Sequence, residues 1–197
     1  MKAVFVDRDG TLNVDTGFVG APAQVALVPH AAEGVRMLVG AGYAIVVVSN
    51  QSGIARGYFS EADADLVDVR LRELLAQTGA QVTAIYRCPH WPPDERPARE
   101  PECDCRKPKP GMLLRAAADH GIDLRASWMV GDRLIDMQAG RAAGCRCVFV
   151  SGVPPRRAED MSSAPPEYRA RDLADAARYI IESAPVQTSG ALDQTLR

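Results

Sequence analysis

Residues 1–13 read Met-Lys-Ala-Val-Phe-Val-Asp-Arg-Asp-Gly-Thr-Leu-Asn. The apolar run at 3–6 stops at two aspartates, Asp7 and Asp9, with Gly10 and Thr11 just beyond. A short apolar run ended by a turn signal predicts a strand buried on both faces of a parallel sheet. Open α/β sheets bind their ligands beyond the carboxyl ends of the strands, where these two carboxylates stand. The two-residue period of a strand turns Asp7 and Asp9 to one side, so both can act on one substrate or one cation. Negative charge gathered in this way is costly unless a metal ion or a shared proton offsets it. The pair marks a chemical site.

Downstream, the chain alternates between helix and strand. A polar loop at 13–29 leads to a helix predicted over 30–42, with Ala31, Val35, Leu38 and Val39 at helical spacing and Gly40 and Gly42 as stops. A buried strand over 44–48 ends at Ser49-Asn50-Gln51. After a glycine-flanked turn at 53–58, Ser60 and Asp63 have the spacing of a capping box that opens a helix running to residue 77. A third strand is predicted over 82–87. Helices over 111–120, 134–143 and 173–182 and strands over 128–131 and 145–150 complete the pattern. It predicts an α/β fold, a doubly wound parallel sheet with right-handed crossovers, as one domain over 1–184. Residues 185–197 read as a disordered tail.

The 197 residues are 47% hydrophobic and 24% charged, proportions that fit a globular enzyme. A formal net charge of -2 gives nucleic acid or a membrane surface no reason to bind. No apolar run approaches the roughly 20 residues that span a bilayer. Met1-Lys2-Ala3 runs straight into the first strand and leaves no room for a signal peptide, so a cytoplasmic monomer is expected, with no nucleic-acid or membrane partner.

Three of the five cysteines crowd near one histidine in the Pro-rich stretch 88–110, which is too long to be structureless unless something staples it. Cys88, His90, Cys103 and Cys105 supply three thiolates and an imidazole, a closed tetrahedral set of the kind that holds structural Zn²⁺. Such a staple over 88–105 would also fix Arg106 and Lys107, which follow Cys105 directly. Cys145 and Cys147 lie on a strand and read as small apolar side chains, and His30 and His120 as surface or helix-end residues.

Each remaining motif follows a predicted strand on the same sheet edge: Asp7-x-Asp9-Gly10-Thr11, Ser49-Asn50-Gln51-Ser52-Gly53, and Gly131-Asp132 with Asp136 beyond. Carboxylates for a divalent cation, a hydroxyl and cations suited to phosphate are therefore gathered together, an inventory that fits Mg²⁺ and phosphoryl transfer. In order and spacing these three elements, with Arg106-Lys107-Pro108 at the start of a helix as a fourth, resemble the haloacid dehalogenase superfamily, whose sheet implies the strand order 3-2-1-4-5 without a large cap domain. The resemblance implies that Asp7 is the nucleophile, forming an aspartyl-phosphate, and that Asp9 is the general acid and base. Ser49 and Lys107 would hold the phosphoryl oxygens, and Asp7, Asp132 and the backbone carbonyl of Asp9 would bind Mg²⁺. Asp136 is left with two roles, supporting the metal site or capping the next helix.

With the cysteine loop included, the resemblance narrows to the branch of heptose bisphosphate and histidinol-phosphate phosphatases. Asn13-Val14-Asp15-Thr16-Gly17-Phe18-Val19 and Asn50-Gln51-Ser52-Gly53-Ile54-Ala55-Arg56-Gly57 favour the heptose side. They imply hydrolysis of a small phosphorylated sugar, in the supply of heptose for lipopolysaccharide-type glycans. Asp15, Thr16, Gly17 and Phe18 would close over the sugar, with Gln51 and Ser52 on its hydroxyls and Asn50 also among the substrate-binding residues. Arg106 and Arg133 would grip a second phosphate, Arg133 standing where the heptose pattern has lysine. Histidinol phosphate is the alternative substrate. A binding module with a decayed site and a phosphotransferase are the alternative classes; every catalytic position is filled, and no cap to exclude water is evident.

Overall fold

The computed structural model describes residues 1–153 and 159–183, so the tail predicted at 185–197 lies outside the described residues. The first strand, β1 (Ala3–Val6), is buried along its whole length. It pairs in parallel with β2 (Ala44–Asn50) on one side and β4 (Trp128–Gly131) on the other. Outside these lie β3 (Ala84–Cys88), β5 (Arg146–Val150) and β6 (Tyr168–Ala170), giving the parallel order β3-β2-β1-β4-β5-β6. The sequence predicts the first five strands in this order and misses β6. Three residues close behind Pro165 and Pro166 are too few to show a period, and pairing with β5 is what makes them a strand.

Alternation along β1 divides the core in two. Val4 and Val6 face one cluster with α1 (Ala31–Gly40), α2 (Glu61–Ala76) and α5 (Leu173–Glu182). Ala3 and Phe5 face the other with α3 (Gly111–His120) and α4 (Leu134–Ala143). Helices cover both faces, which is why β1 and β2 read as apolar runs rather than alternating ones. Cys145 and Cys147 are buried in the second cluster, as their strand position predicts. His30 is half exposed at the start of α1 and His120 ends α3.

The punctuation follows the sequence. Ser60 Oγ accepts a hydrogen bond from Asp63 N at 3.1 Å and Asp63 Oδ2 accepts one from Ser60 N at 2.8 Å, closing the capping box of α2. No inserted domain separates the described strands from their helices. Between β1 and α1 there is only a loop with a short 3-10 turn (Pro22–Gln24), and between β3 and α3 only the irregular stretch 89–110. No described helix is long and apolar enough to cross a membrane.

α1 and α5 pack so closely that a Cβ on Gly34 would stand 2.6 Å from the Leu173 backbone, whereas one on Gly40 would meet nothing. Gly34→Ala is expected to destabilise the protein by about 1–3 kcal/mol through overpacking. Gly40→Ala is expected to be neutral or stabilising by up to about 1 kcal/mol through helix propensity. Urea unfolding of the two variants side by side checks the pair; equal midpoints would contradict the close packing.

Candidate active site

Four separate segments deliver side chains to the carboxyl edge of the sheet. Asp7 N extends the β1–β4 ladder by donating to Val130 O at 2.9 Å, which places its carboxylate at the strand mouth. Lys107 arrives from the long loop, 1% exposed at its side chain. Its Nζ contacts the Asp7 carboxylate, pairs with Asp136 Oδ1 at 2.6 Å and donates to Val48 O at 2.9 Å. Asn50, ending β2, clamps the Lys107 backbone from both sides: Nδ2 donates to its carbonyl and Oδ1 accepts from its amide, each at 3.0 Å. Asp136 also accepts from Arg133 N at 3.0 Å, so it both caps α4 and braces the lysine.

Asp132 completes the cluster, its carboxylate within 4.8 Å of those of Asp7 and Asp136. Gly10, at φ 97°, and Gly152 let the backbone pass against that carboxylate where a Cβ would collide with it. Three buried carboxylates therefore face one buried ammonium. Burial drives Asp7 up to about 7; Lys107 opposes this, while Asp136 and Asp9 add to it. Burial, then Asp7 and Asp136, pushes Asp132 up to about 8. Burial alone would lower Lys107, but Asp136 and Asp7 outweigh it and raise its pKa. The surplus of negative charge suits a divalent cation.

Asp9 stands apart from that cluster. Its Oδ1 accepts from Arg8 Nε at 3.0 Å and Asn13 Nδ2 at 3.2 Å, and its Oδ2 from Arg8 Nη2 at 2.8 Å and Gln51 Nε2 at 3.0 Å. Gln51 Nε2 also donates to Ser49 Oγ at 2.7 Å. A cavity of about 150 Å³ opens over the cluster, and Asp7, Asp9, Ser49, Lys107, Arg106 and Arg133 all reach its wall. Asp15, Gly17, Asn50 and Ser52 line it as well. Burial draws the Arg106 pKa down, and Arg133 across the cavity adds to that effect.

Three residues expected on the sugar are not on that wall. Gln51 is turned beneath it by its bonds to Asp9 and Ser49. The Asp15 carboxylate accepts from Gly17 N at 2.8 Å, a tight turn that leaves Thr16 exposed. Phe18 instead packs edge-on against Tyr58, ring centroids 4.7 Å apart.

The cysteine loop brings its four donors together. Cys88 Sγ lies 3.7 Å from Cys103 Sγ and 3.4 Å from His90 Nδ1, which is 3.2 Å from Cys105 Sγ. A tetrahedron of metal–sulfur bonds ~2.3 Å long has sulfur–sulfur edges of about 3.8 Å. The Cys105 thiol is pushed far up, first by its hydrogen bond with Cys88 and then by burial, a cost that a bound cation would remove. Arg106 donates to the His90 carbonyl at 3.2 Å, tying an arginine of the cavity wall to this cluster.

Residues 104–176 match the HAD-hydrolase-like family. A D-glycero-beta-D-manno-heptose-1,7-bisphosphate 7-phosphatase of Pasteurella multocida is 46% identical over 142 residues, 72% of this chain and 77% of that one. The protein of the same name from Escherichia coli K12 is 44% identical over 156 residues, 78% of this chain and 82% of its own. This chain belongs to that family of HAD-like phosphatases. Among solved structures, the family's fold recurs in D,D-heptose 1,7-bisphosphate phosphatase from B. bronchiseptica, complexed with magnesium and phosphate. The TM-score is 0.78 at 34% identity, covering 93% of this chain and 100% of that one. The Burkholderia thailandensis protein named for the same activity aligns at TM-score 0.63 and 26% identity, over 92% and 99% of the two chains.

Within this family fold, the sequence gives no role to Arg8 or Glu159, and places Asn13 in the loop toward the sugar rather than on Asp9. Arg8 lies between the two aspartates yet is 1% exposed, which no period of a strand foretells. Glu159 accepts from Leu134 N at 2.5 Å and pairs with Arg133 at 3.7 Å. Its segment carries no regular pattern, so it left no signal.

The acidic cluster sets the sign of a pH dependence. Unfolded, Asp7 and Asp132 titrate near pH ~4. Folded without metal, they keep their protons until about 7 and about 8. The stability they contribute is therefore complete below pH ~4 and is lost as pH rises toward about 8. Thermal unfolding in magnesium-free buffer is expected to show a midpoint falling from about pH 5.5 to about pH 8.5, with millimolar Mg²⁺ flattening the slope. A flat or rising midpoint in the magnesium-free protein would contradict the cluster's electrostatics.

Proposed function

We propose that the protein hydrolyses the 7-phosphate of D-glycero-D-manno-heptose 1,7-bisphosphate, with Mg²⁺ as catalytic cofactor and Zn²⁺ in the cysteine loop. One observation carries the reading: Asp7 is buried at the mouth of the sheet against an ammonium that Asp136 and Val48 also hold. A carboxylate so fixed suits attack on the electrophilic phosphorus of a phosphate ester, with a cation beside it to receive the anionic phosphoryl oxygens. The relatives named for this activity, and the neighbour that contains magnesium and phosphate, support it.

Asp7 attacks phosphorus through a carboxylate oxygen, and Asp9 gives a proton to the departing sugar oxygen. The product sugar leaves with that proton, and Asp7 carries the phosphoryl group. A water molecule then gives a proton to Asp9 and its oxygen to phosphorus, which restores Asp7 and releases inorganic phosphate. Ser49 and Lys107 hold the phosphoryl oxygens meanwhile. Asp7, Asp132 and the Asp9 carbonyl would hold Mg²⁺, which when bound neutralises charge on the transferring group. Arg106 and Arg133 face the same cavity close enough to repel, an arrangement that the second phosphate of a bisphosphate would relieve.

Phosphate release with Mg²⁺ is expected to be faster from the heptose bisphosphate than from histidinol phosphate. Asp7→Asn should reduce it by on the order of a thousandfold or more, since the nucleophile acts as a unit with its partners. Preferential turnover of histidinol phosphate would keep the chemistry and overturn the substrate.

The cysteine loop gives a separate test. The protein is expected to contain about one equivalent of zinc, released by denaturation into a chromogenic chelator. Cys103→Ser with Cys105→Ser should lose that metal and most phosphatase activity, because Arg106 and Lys107 would lose their anchor. Full activity without zinc would refute the loop's positioning role.

A further inference from the structure

The inward stripe of α2 is apolar at Ala64, Val67, Leu71 and Leu75, with one exception. Asp68 shares that stripe, its side chain 13% exposed. A carboxylate facing the core is unfavourable unless something there requires it. Its Oδ2 pairs with Arg87 at 2.5 Å. Its Oδ1 is buried, makes no hydrogen bond and lies 3.8 Å from Arg8 Nη1. Burial raises the Asp68 pKa, with Arg8 and then Arg87 opposing.

Arg8 is the group that needs it. Its guanidinium is almost wholly buried and spends Nε and Nη2 on the two oxygens of Asp9, leaving Nη1 directed to Asp68. Neighbouring side chains on a strand point to opposite faces. The fork between Arg8 and Asp9 therefore forms where the chain bends after β1, with Asp68 of α2 beside the third guanidinium nitrogen. Asp68 is held in turn: Arg87, at the end of β3, also contacts Asp65 and pairs with Glu61 at 3.3 Å. Arg87 immediately precedes Cys88, so the brace reaches the cysteine loop.

We propose that Asp68 is a positioning residue for the reaction: it holds buried Arg8 in the orientation in which the guanidinium fixes the Asp9 carboxylate. This rests on the reading of Asp9 as proton donor and acceptor. Asp68 lies off the cavity wall and outside both candidate metal clusters. It sets the direction of Asp9 through Arg8, as Asn13 and Gln51 do from the other side.

A positional fault at Asp9 has a signature that general damage lacks. A sugar oxygen needs a proton to leave, whereas 4-nitrophenolate leaves without one, and the aspartyl-phosphate common to both substrates needs Asp9 to activate water. Asp68→Asn keeps the volume and removes the charge. With the heptose bisphosphate, kcat is expected to fall by about tenfold or more and KM to change less than about twofold. With 4-nitrophenyl phosphate, the variant should release a burst of about one equivalent of nitrophenolate and then turn over slowly. Asp9→Asn, measured alongside, should show the same pattern more severely. Unchanged kcat on both substrates, or an equal loss on both with no burst, would overturn the proposal.

Two further measurements keep it decidable. If Asp68→Asn does not fold, Arg87→Gln loosens Asp68 from outside and should give the same pattern in milder form; its absence there would count against the proposal. A crystal structure of the variant reads the position directly, even if Asp9→Asn shows that Asp9 has another role. Arg8 displaced from Asp9 supports the brace, and an undisturbed fork refutes it.

Discussion

The buried Lys107 ammonium is the interaction on which the rest of the site depends. Its side chain is 1% exposed, and the carboxylates facing it come from distant parts of the chain, Asp7 beyond β1 and Asp136 in α4. A lysine taken out of water is costly, and the cost is offset only where partners of opposite charge are already in place. Removing Lys107 would leave Asp7 and Asp136 with no opposing charge in the interior, a loss that typically destabilises by about 3–5 kcal/mol. The same pairing draws the long loop onto the sheet, where Asn50 secures it by both backbone groups of Lys107. Fold and candidate site thus share one constraint: the loop cannot leave without unpairing Asp7.

Two aspartates two residues apart are given different surroundings by that arrangement. Asp7 is enclosed, with an ammonium in front and further carboxylates beside it, and burial raises it to about 7. Asp9 is ringed by neutral and cationic donors, Arg8, Asn13 and Gln51, and remains at the cavity wall. In the proposed reaction the enclosed group is the one that attacks. The ringed one suits proton transfer, which needs a fixed direction and access to both leaving group and water. The two aspartates thus differ in environment rather than in residue type.

The sequence disclosed whatever depends on local pattern. Apolar runs of four or five residues ending in charged or amide residues located β1, β2 and β4 and the motifs at their ends. The capping box at Ser60 and Asp63 located the start of α2, and the pairs Cys88/His90 and Cys103/Cys105 announced their own cluster. The parts that stayed hidden depend on long-range geometry. That Arg8 folds back into the interior, or that Asp68 on a core stripe is there to meet it, follows from where α2 crosses the sheet. Gln51 was legible as a polar residue at a strand end; its turn toward Asp9 and Ser49 was not, because a strand's period gives the side of a residue and not its rotamer. β6 is too short for any pattern and exists because β5 offers an edge.

A site with no inserted cap must gain its walls from loops, and loops are mobile unless braced. Here the bracing converges on Arg56. Its guanidinium pairs with Glu95 at 2.5 Å, lies 5.0 Å from the Trp91 ring and 5.7 Å from that of Phe18. One side chain from the turn after β2 thereby joins the loop after β1 to the cysteine loop after β3. The adjacent Ala55 amide donates to the Pro89 carbonyl at 3.2 Å and strengthens the same seam. Phe18 is absent from the cavity wall because it belongs to this rim. Its role is to hold the loop that carries Asp15 and Gly17 against its neighbours. A cross-braced rim of this kind fixes the cavity's outline while leaving it open above, which suits a small, highly charged substrate recognised at both ends rather than one enclosed on all sides.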